Sequence, residues 1–97
     1  MSYYFHPSAE AEHLETVAYY ESKRPGLGAS YLAELENIMS GVCDAPHRYP
    51  IERKPDIRRK RLKNFPFTIL FRVVSGSVQI LAVAHHRRRP TYWLGRL

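Results

Sequence analysis

Residues 57–85 read IRRKRLKNFPFTILFRVVSGSVQILAVAH, and the fold class turns on this run. Phe65–Val74 is apolar on both parities: Phe65, Phe67, Ile69, Phe71 and Val73 on one, Leu70 and Val74 on the other, with Arg72 interrupting. A strand covered on both faces has that pattern. Ser75-Gly76 supplies a hairpin turn, so Val78–Ala84 is predicted to run back antiparallel. Ile57–Leu62 carries so much charge that its solvent face must be basic. Three consecutive strands joined in this way form an antiparallel meander.

Upstream, Tyr3–His6 is short and aromatic and reads as a first strand, ended by Pro7-Ser8. Ser8 can cap a helix, and Glu10 and Glu12 then fall in its first turn, where the helix dipole favours negative charge. Leu14, Val17 and Ala18 mark the expected apolar stripe. Lys23 and Arg24 close this helix and Pro25-Gly26 break it. A second helix is read from Tyr31, Leu32, Leu35, Ile38, Met39 and Val42, which recur at steps of three and four. Asp44-Ala45-Pro46 stops it, and a loop stiffened by Pro46, Pro50 and Pro55 follows. The expected architecture is α+β: an N-terminal strand, a helical hairpin, then a three-stranded antiparallel meander forming a small sheet, all in one domain spanning 1–97.

Charge is divided unevenly. Residues 51–97 hold twelve Lys and Arg against two acids, a net of +10, and residues 1–50 hold three against seven, a net of −4, which together make the chain's +6. The basic half must face something anionic or be held by an acidic partner. Cys43 is the single cysteine, so no internal disulfide forms and no multi-cysteine zinc site exists. A lone thiol suits a reducing compartment, and a cytoplasmic location is expected. The opening residues lack the basic and apolar regions of a signal peptide, and no apolar run is long enough to span a bilayer, so no membrane association is expected. His6, His13 and His47 are scattered without ligand spacing, and no Gly-rich phosphate loop is present; no metal or cofactor is expected.

Several local sequences resemble the RelE/ParE superfamily of toxins from type II toxin–antitoxin modules. They are the aromatic first strand with HPSAEAEHLETVAYY, then RPGLGASYLAELENIM, a proline-bearing loop, IRRKRLKNFPFTILFRV and VQILAVAHHRRRPTYW. Phe65-Pro66-Phe67, His85, Arg88, Pro90 and Trp93 stand where the ParE-like branch has its most specific positions. The resemblance implies a growth-inhibiting toxin neutralised by the acidic or amphipathic C-terminal segment of a cognate antitoxin, with operator DNA reached only through that antitoxin. In the ParE branch the target is DNA gyrase, trapped while DNA is cut. In the RelE branch the toxin enters the ribosome and cleaves mRNA.

Two site readings follow. For a gyrase inhibitor without hydrolytic chemistry, the target- or antitoxin-binding residues are Arg58, Arg59, Lys60, Arg61, Arg87, Arg88, Arg89, Tyr92 and Trp93. For a metal-independent mRNA endoribonuclease, Arg61 and Arg72 stabilise the phosphorane, His85 or His86 acts as acid or base, and Tyr92 assists. Each residue also has a structural reading: Arg72 paired with Glu52 or Asp56, His85 capping the sheet, and Tyr92 and Trp93 packing the last segment onto the core. Cys43 reads as a packed thiol. The acidic outer face of the hairpin, with Glu12, Glu15, Glu34 and Glu36, is expected to point away from any nucleic acid.

Overall fold

The computed structural model describes residues 1–97. Strand β1 (Tyr3–Phe5) leads into helices α1 (Pro7–Lys23) and α2 (Leu27–Asp44), followed by strands β2 (Ile51–Arg53), β3 (Ile57–Arg61), β4 (Phe67–Val74) and β5 (Ser77–His85). The expected α+β class and the helical hairpin are present, but the sheet is larger than a three-stranded meander. It has five strands in the order β1-β5-β4-β3-β2. β1 pairs in parallel with β5, Tyr3 opposite Val78, and β2 adds an outer antiparallel strand beside β3. β2 escapes sequence reading because it is three residues long and hemmed by Pro50 and Pro55.

The helices cover one face of the sheet. Tyr31, Leu35, Met39 and Val42 of α2 pack on Ile69, Phe71, Val78 and Ile80. Each such side chain, once buried, stabilises the fold by about 1.5–3 kcal/mol before entropy is counted. A second, smaller cluster lies on the opposite face: Ile57, Leu70, Leu81, Ala82 and Trp93. β5 serves both faces through a bulge. Leu70 is opposite Ala82 but Phe71 is opposite Ile80, so Leu81 is the extra residue, and Leu81 and Ala82 both turn to the smaller cluster. Ser75 (φ 49°) and Gly76 (φ 81°) form the β4–β5 turn with the positive dihedrals that a tight hairpin requires.

The helical hairpin is tied by Glu21, whose carboxylate accepts the N–H of Gly26 at 2.9 Å and of Gly28 at 3.0 Å. Those are orphan donors at the start of α2, where negative charge is favourable. Gly28 lets the helices touch: a Cβ there would lie 2.7 Å from the Val17 carbonyl oxygen.

Three expectations for α1 are corrected. Its cap is His6, whose Nδ1 accepts the Ser8 N–H at 3.1 Å, with Pro7 as first helical residue. Its buried face runs through Ala9 and His13, while Leu14 is 61% exposed. His13 takes the interior place because its ring stacks on Phe5 and its Nδ1 lies 3.3 Å from the Tyr31 hydroxyl. Glu12 also turns inward rather than onto an outer acidic face. Glu34 folds over the β3–β4 turn, accepting the N–H groups of Lys63 and Asn64 and the Asn64 side-chain amide.

Candidate functional site

The basic strand β3 divides by parity. Arg59 and Arg61 lie opposite Leu70 and Thr68, whereas Arg58 and Lys60 lie opposite Phe71 and Ile69 of the helix-side core. Side chains alternate across a strand, so Arg59 and Arg61 stand on the open face and Arg58 and Lys60 on the helix side. Arg58 is spent on structure: its Nη1 donates to the Tyr49 carbonyl at 2.6 Å and to that of His47 at 3.3 Å. It therefore does not join the others.

On the open face, Glu52, Arg59, Thr68, Leu70, Ala84, His85, His86, Arg88, Arg89, Pro90 and Trp93 line a cleft of about 180 Å³. Cationic residues from β3 and from the segment after β5 thus converge on one surface. Arg59 Nη1 donates to the Ile51 carbonyl at 2.8 Å and lies 3.5 Å from Glu52. That ion pair is solvated, with side chains 43% and 36% exposed, so it contributes little stability. Arg89 makes no ion pair.

His86 is the hinge of the cleft. Its N–H donates to the Pro66 carbonyl at 3.0 Å, prolonging the β4–β5 ladder by one rung. Its Nδ1 lies 3.4 Å from Arg61 Nη2 and its Nε2 lies 3.1 Å from Thr68 Oγ1. A guanidinium only donates, so Nδ1 accepts and Nε2 carries the proton towards Thr68. The Thr68 hydroxyl hydrogen is left free to point into the cleft.

The other residues singled out from sequence have partners of their own, His85 and Trp93 while bordering the cleft. Arg72 lies on β4 about 13 Å along the strand from Thr68, and its Nε donates to Gln79 Oε1 at 3.0 Å rather than pairing with Glu52 or Asp56. The His85 ring meets the Phe67 ring edge-on at 5.0 Å, and its Nδ1 accepts the Arg87 N–H at 3.1 Å. Arg87 is exposed. Trp93 is 2% exposed, its ring filling the smaller cluster against Leu70 and Leu81. Cys43 is half-buried beside the main core, and burial pushes its thiol pKa up.

Tyr92 turns away from the cleft to Glu12, donating its hydroxyl to Oε2 at 2.7 Å. Burial and this bond to a carboxylate hold the phenol well above its usual pKa, so it keeps its proton. Arg88 stacks on the Tyr92 ring at 3.7 Å and reaches Glu12 at 3.5 Å. Arg96, which sequence reading overlooked, donates Nη1 and Nη2 to Glu12 at 2.9 Å each, and Nη1 also to the Leu81 carbonyl at 2.9 Å. Burial alone would raise the Glu12 pKa, but the bonds from Arg96, Tyr92 and the Val83 N–H outweigh it, and the carboxyl sits below its usual range. No local pattern marks Glu12 or Arg96; their contact spans almost the whole sequence.

Among curated protein sequences, none matches this chain. Among solved structures, the chain is similar to one described as the chromosomal ParDE TA system from P. aeruginosa: TM-score 0.74 at 19% identity, covering 88% of this chain and 95% of that one. At that identity the likeness concerns the fold. Residues 3–90 match the model of the ParE toxin of the type II toxin-antitoxin system parDE. The match takes in both helices, the whole sheet and all of the cleft lining but Trp93, and the chain belongs to the ParE toxin family, as the toxin component of a type II module with a cognate antitoxin as partner.

Proposed function

We propose that this toxin inhibits DNA gyrase, in the cytoplasm, and is silenced when the antitoxin's acidic or amphipathic C-terminal segment covers its basic face; operator DNA is met only through the antitoxin. The supporting observation is the convergence of Arg59, Arg61, Arg88 and Arg89 on the sheet face opposite the helices. Electrostatic complementarity of this kind speeds encounter and selects partners. Arg87 adds exposed charge beside it, whereas Lys60, on the helix side of β3, does not. Arg58, Tyr92 and Trp93 serve the fold.

The nuclease alternative finds support in the Arg61–His86–Thr68 chain, which puts a cation beside a proton-transfer group. Against it, Arg72 and Tyr92 are bonded elsewhere, and His85, though it borders the cleft, has its ring edge-on to Phe67 and its Nδ1 taken by the Arg87 N–H. Purified protein added to a gyrase supercoiling assay separates the two readings. Loss of supercoiling with intact ribosome-bound mRNA is expected. Normal supercoiling at saturating toxin, with mRNA cut inside the ribosomal A site, would replace inhibition of gyrase by ribonuclease action.

A further inference from the structure

We propose that the cleft between β3, β4 and the segment after β5 is a seat for a nucleic-acid phosphate, held by Arg61, Arg89 and the Thr68 hydroxyl, with Arg59 at its side. This deepens the gyrase reading, since gyrase holds cut DNA, and gives the toxin a contact with the DNA as well as with the enzyme. Three features carry it.

Arg59, Arg89 and Thr68 line the cleft, and Arg61, joined to His86 Nδ1 at 3.4 Å, stands beside it on the same face of the sheet. Arg61 and Arg89 have no carboxylate partner, and Arg59 has only a solvated one. Guanidinium forks match the paired oxygens of a phosphate. The Thr68 hydroxyl receives the His86 Nε2 proton and so presents its own hydrogen outward. His86 is itself pinned by the Pro66 carbonyl, so Arg61 and Thr68, which its ring touches, are held in place before any ligand arrives.

The floor beneath the cations is apolar: Leu70, Ala84 and Trp93. A cationic rim above an apolar floor suits a strand whose backbone tracks the charge while a sugar or base rests below.

An acidic protein segment can cover the basic face as a whole, but the cleft within it offers such a segment little hold. Such a segment would need large apolar anchors on the surface to supply affinity. The exposed large apolar side chains, Met1, Tyr4, Leu14, Tyr19 and Leu97, are all absent from the cleft lining.

The test uses the full chain without gyrase and fluorescein-labelled oligonucleotides of about twelve nucleotides, single-stranded and duplex, titrated from low to moderate salt. Wild type should bind at least one form, and the preferred form identifies the strand the cleft takes. Arg61→Ala/Arg89→Ala should weaken binding more than tenfold and flatten the slope of log K against log salt by about 1.4 for a single strand or about 1.8 for a duplex, two contacts' worth. Arg53→Ala/Lys54→Ala removes two exposed charges outside the cleft and should leave affinity within about threefold. Wild-type-like thermal melts must accompany each comparison; as a readout needing no variant, inorganic phosphate should shift the amide resonances of Thr68 and His86. Equal losses in the two double variants, or no binding at low salt, would overturn the proposal. Gyrase left uninhibited while oligonucleotide binding persists would sink only the gyrase reading.

Discussion

The carboxylate of Glu12 on the first helix and the guanidinium of Arg96 meet through two 2.9 Å bonds across 84 positions of sequence, and together they replace a missing strand. β1 covers β5 only from Val78 to Ile80. Past that point Arg96 donates to the Leu81 carbonyl and Glu12 accepts the Val83 N–H. Both side chains are 15% exposed. An edge that would otherwise offer unpaired backbone groups is closed by an ion pair.

Glu12→Gln should therefore destabilise the protein by about 3 kcal/mol, because it leaves the Arg96 charge partly buried without its partner. For a chain of this size that lowers Tm by about 12 °C or more. Hydrogen exchange gives the local check: the Val83 amide should lose protection before the amides of β4 do. An unchanged Val83 amide would show that the edge is held by something else.

Acid should act in two stages. Burial is the main cause holding the His13 pKa below its usual value, against the opposing influence of Glu36 and Glu10. The unfolded chain binds a proton at this histidine below about pH 6.5 while the folded chain resists. Stability should then fall as pH drops below about 6.5, and His13→Phe should remove that portion. The Glu12 pKa is depressed in the fold, so its contribution is present above the unfolded carboxylate value of about 4.3 and is lost as pH falls below it. Urea midpoints across this range, for wild type, His13→Phe and Glu12→Gln, separate the stages.

Gly28→Ala should cost about 1–3 kcal/mol, since the added methyl meets the Val17 carbonyl oxygen at 2.7 Å and the hairpin must open to admit it. Gly95→Ala has nothing within 4 Å and should be close to neutral. Chemical denaturation of the two variants side by side checks the difference.

The cognate antitoxin should raise the melting temperature of the toxin. A ligand bound only to the folded state at a hundred times its dissociation constant adds about 2.7 kcal/mol, or about 10 °C or more here. Calorimetry of the toxin with and without a saturating antitoxin peptide measures it, and coincident melts would count against capture of the folded face.

The sheet centre was legible because Phe67, Ile69 and Phe71 alternate towards a large apolar core, and α2 because its stripe is long and unbroken. The phase of α1 was not, since two polar residues, Glu12 and His13, lie inside with partners from distant segments while Leu14 lies outside. Strand parity in Ile57–Leu62 already contained the division of its arginines, yet which half faced the helices depended on Leu62 and on pairing with β4. The cleft itself rests on the course of residues 86–97, and that course is set by Glu12 and by the seat of Trp93 on the smaller cluster, which no short stretch of sequence records.

The parallel pairing of β1 with β5 has a consequence for synthesis. A ribosome makes Tyr3–Phe5 before both helices, but their neighbours Val78–Ile80 emerge only after those helices and three other strands. Partial chains can form the hairpin of helices, with Tyr31, Leu35 and Met39 still uncovered, but not the sheet that shields them. The cationic hollow does not exist on a growing polypeptide before Arg89 has left the tunnel, so that surface is the last part of the molecule to take shape.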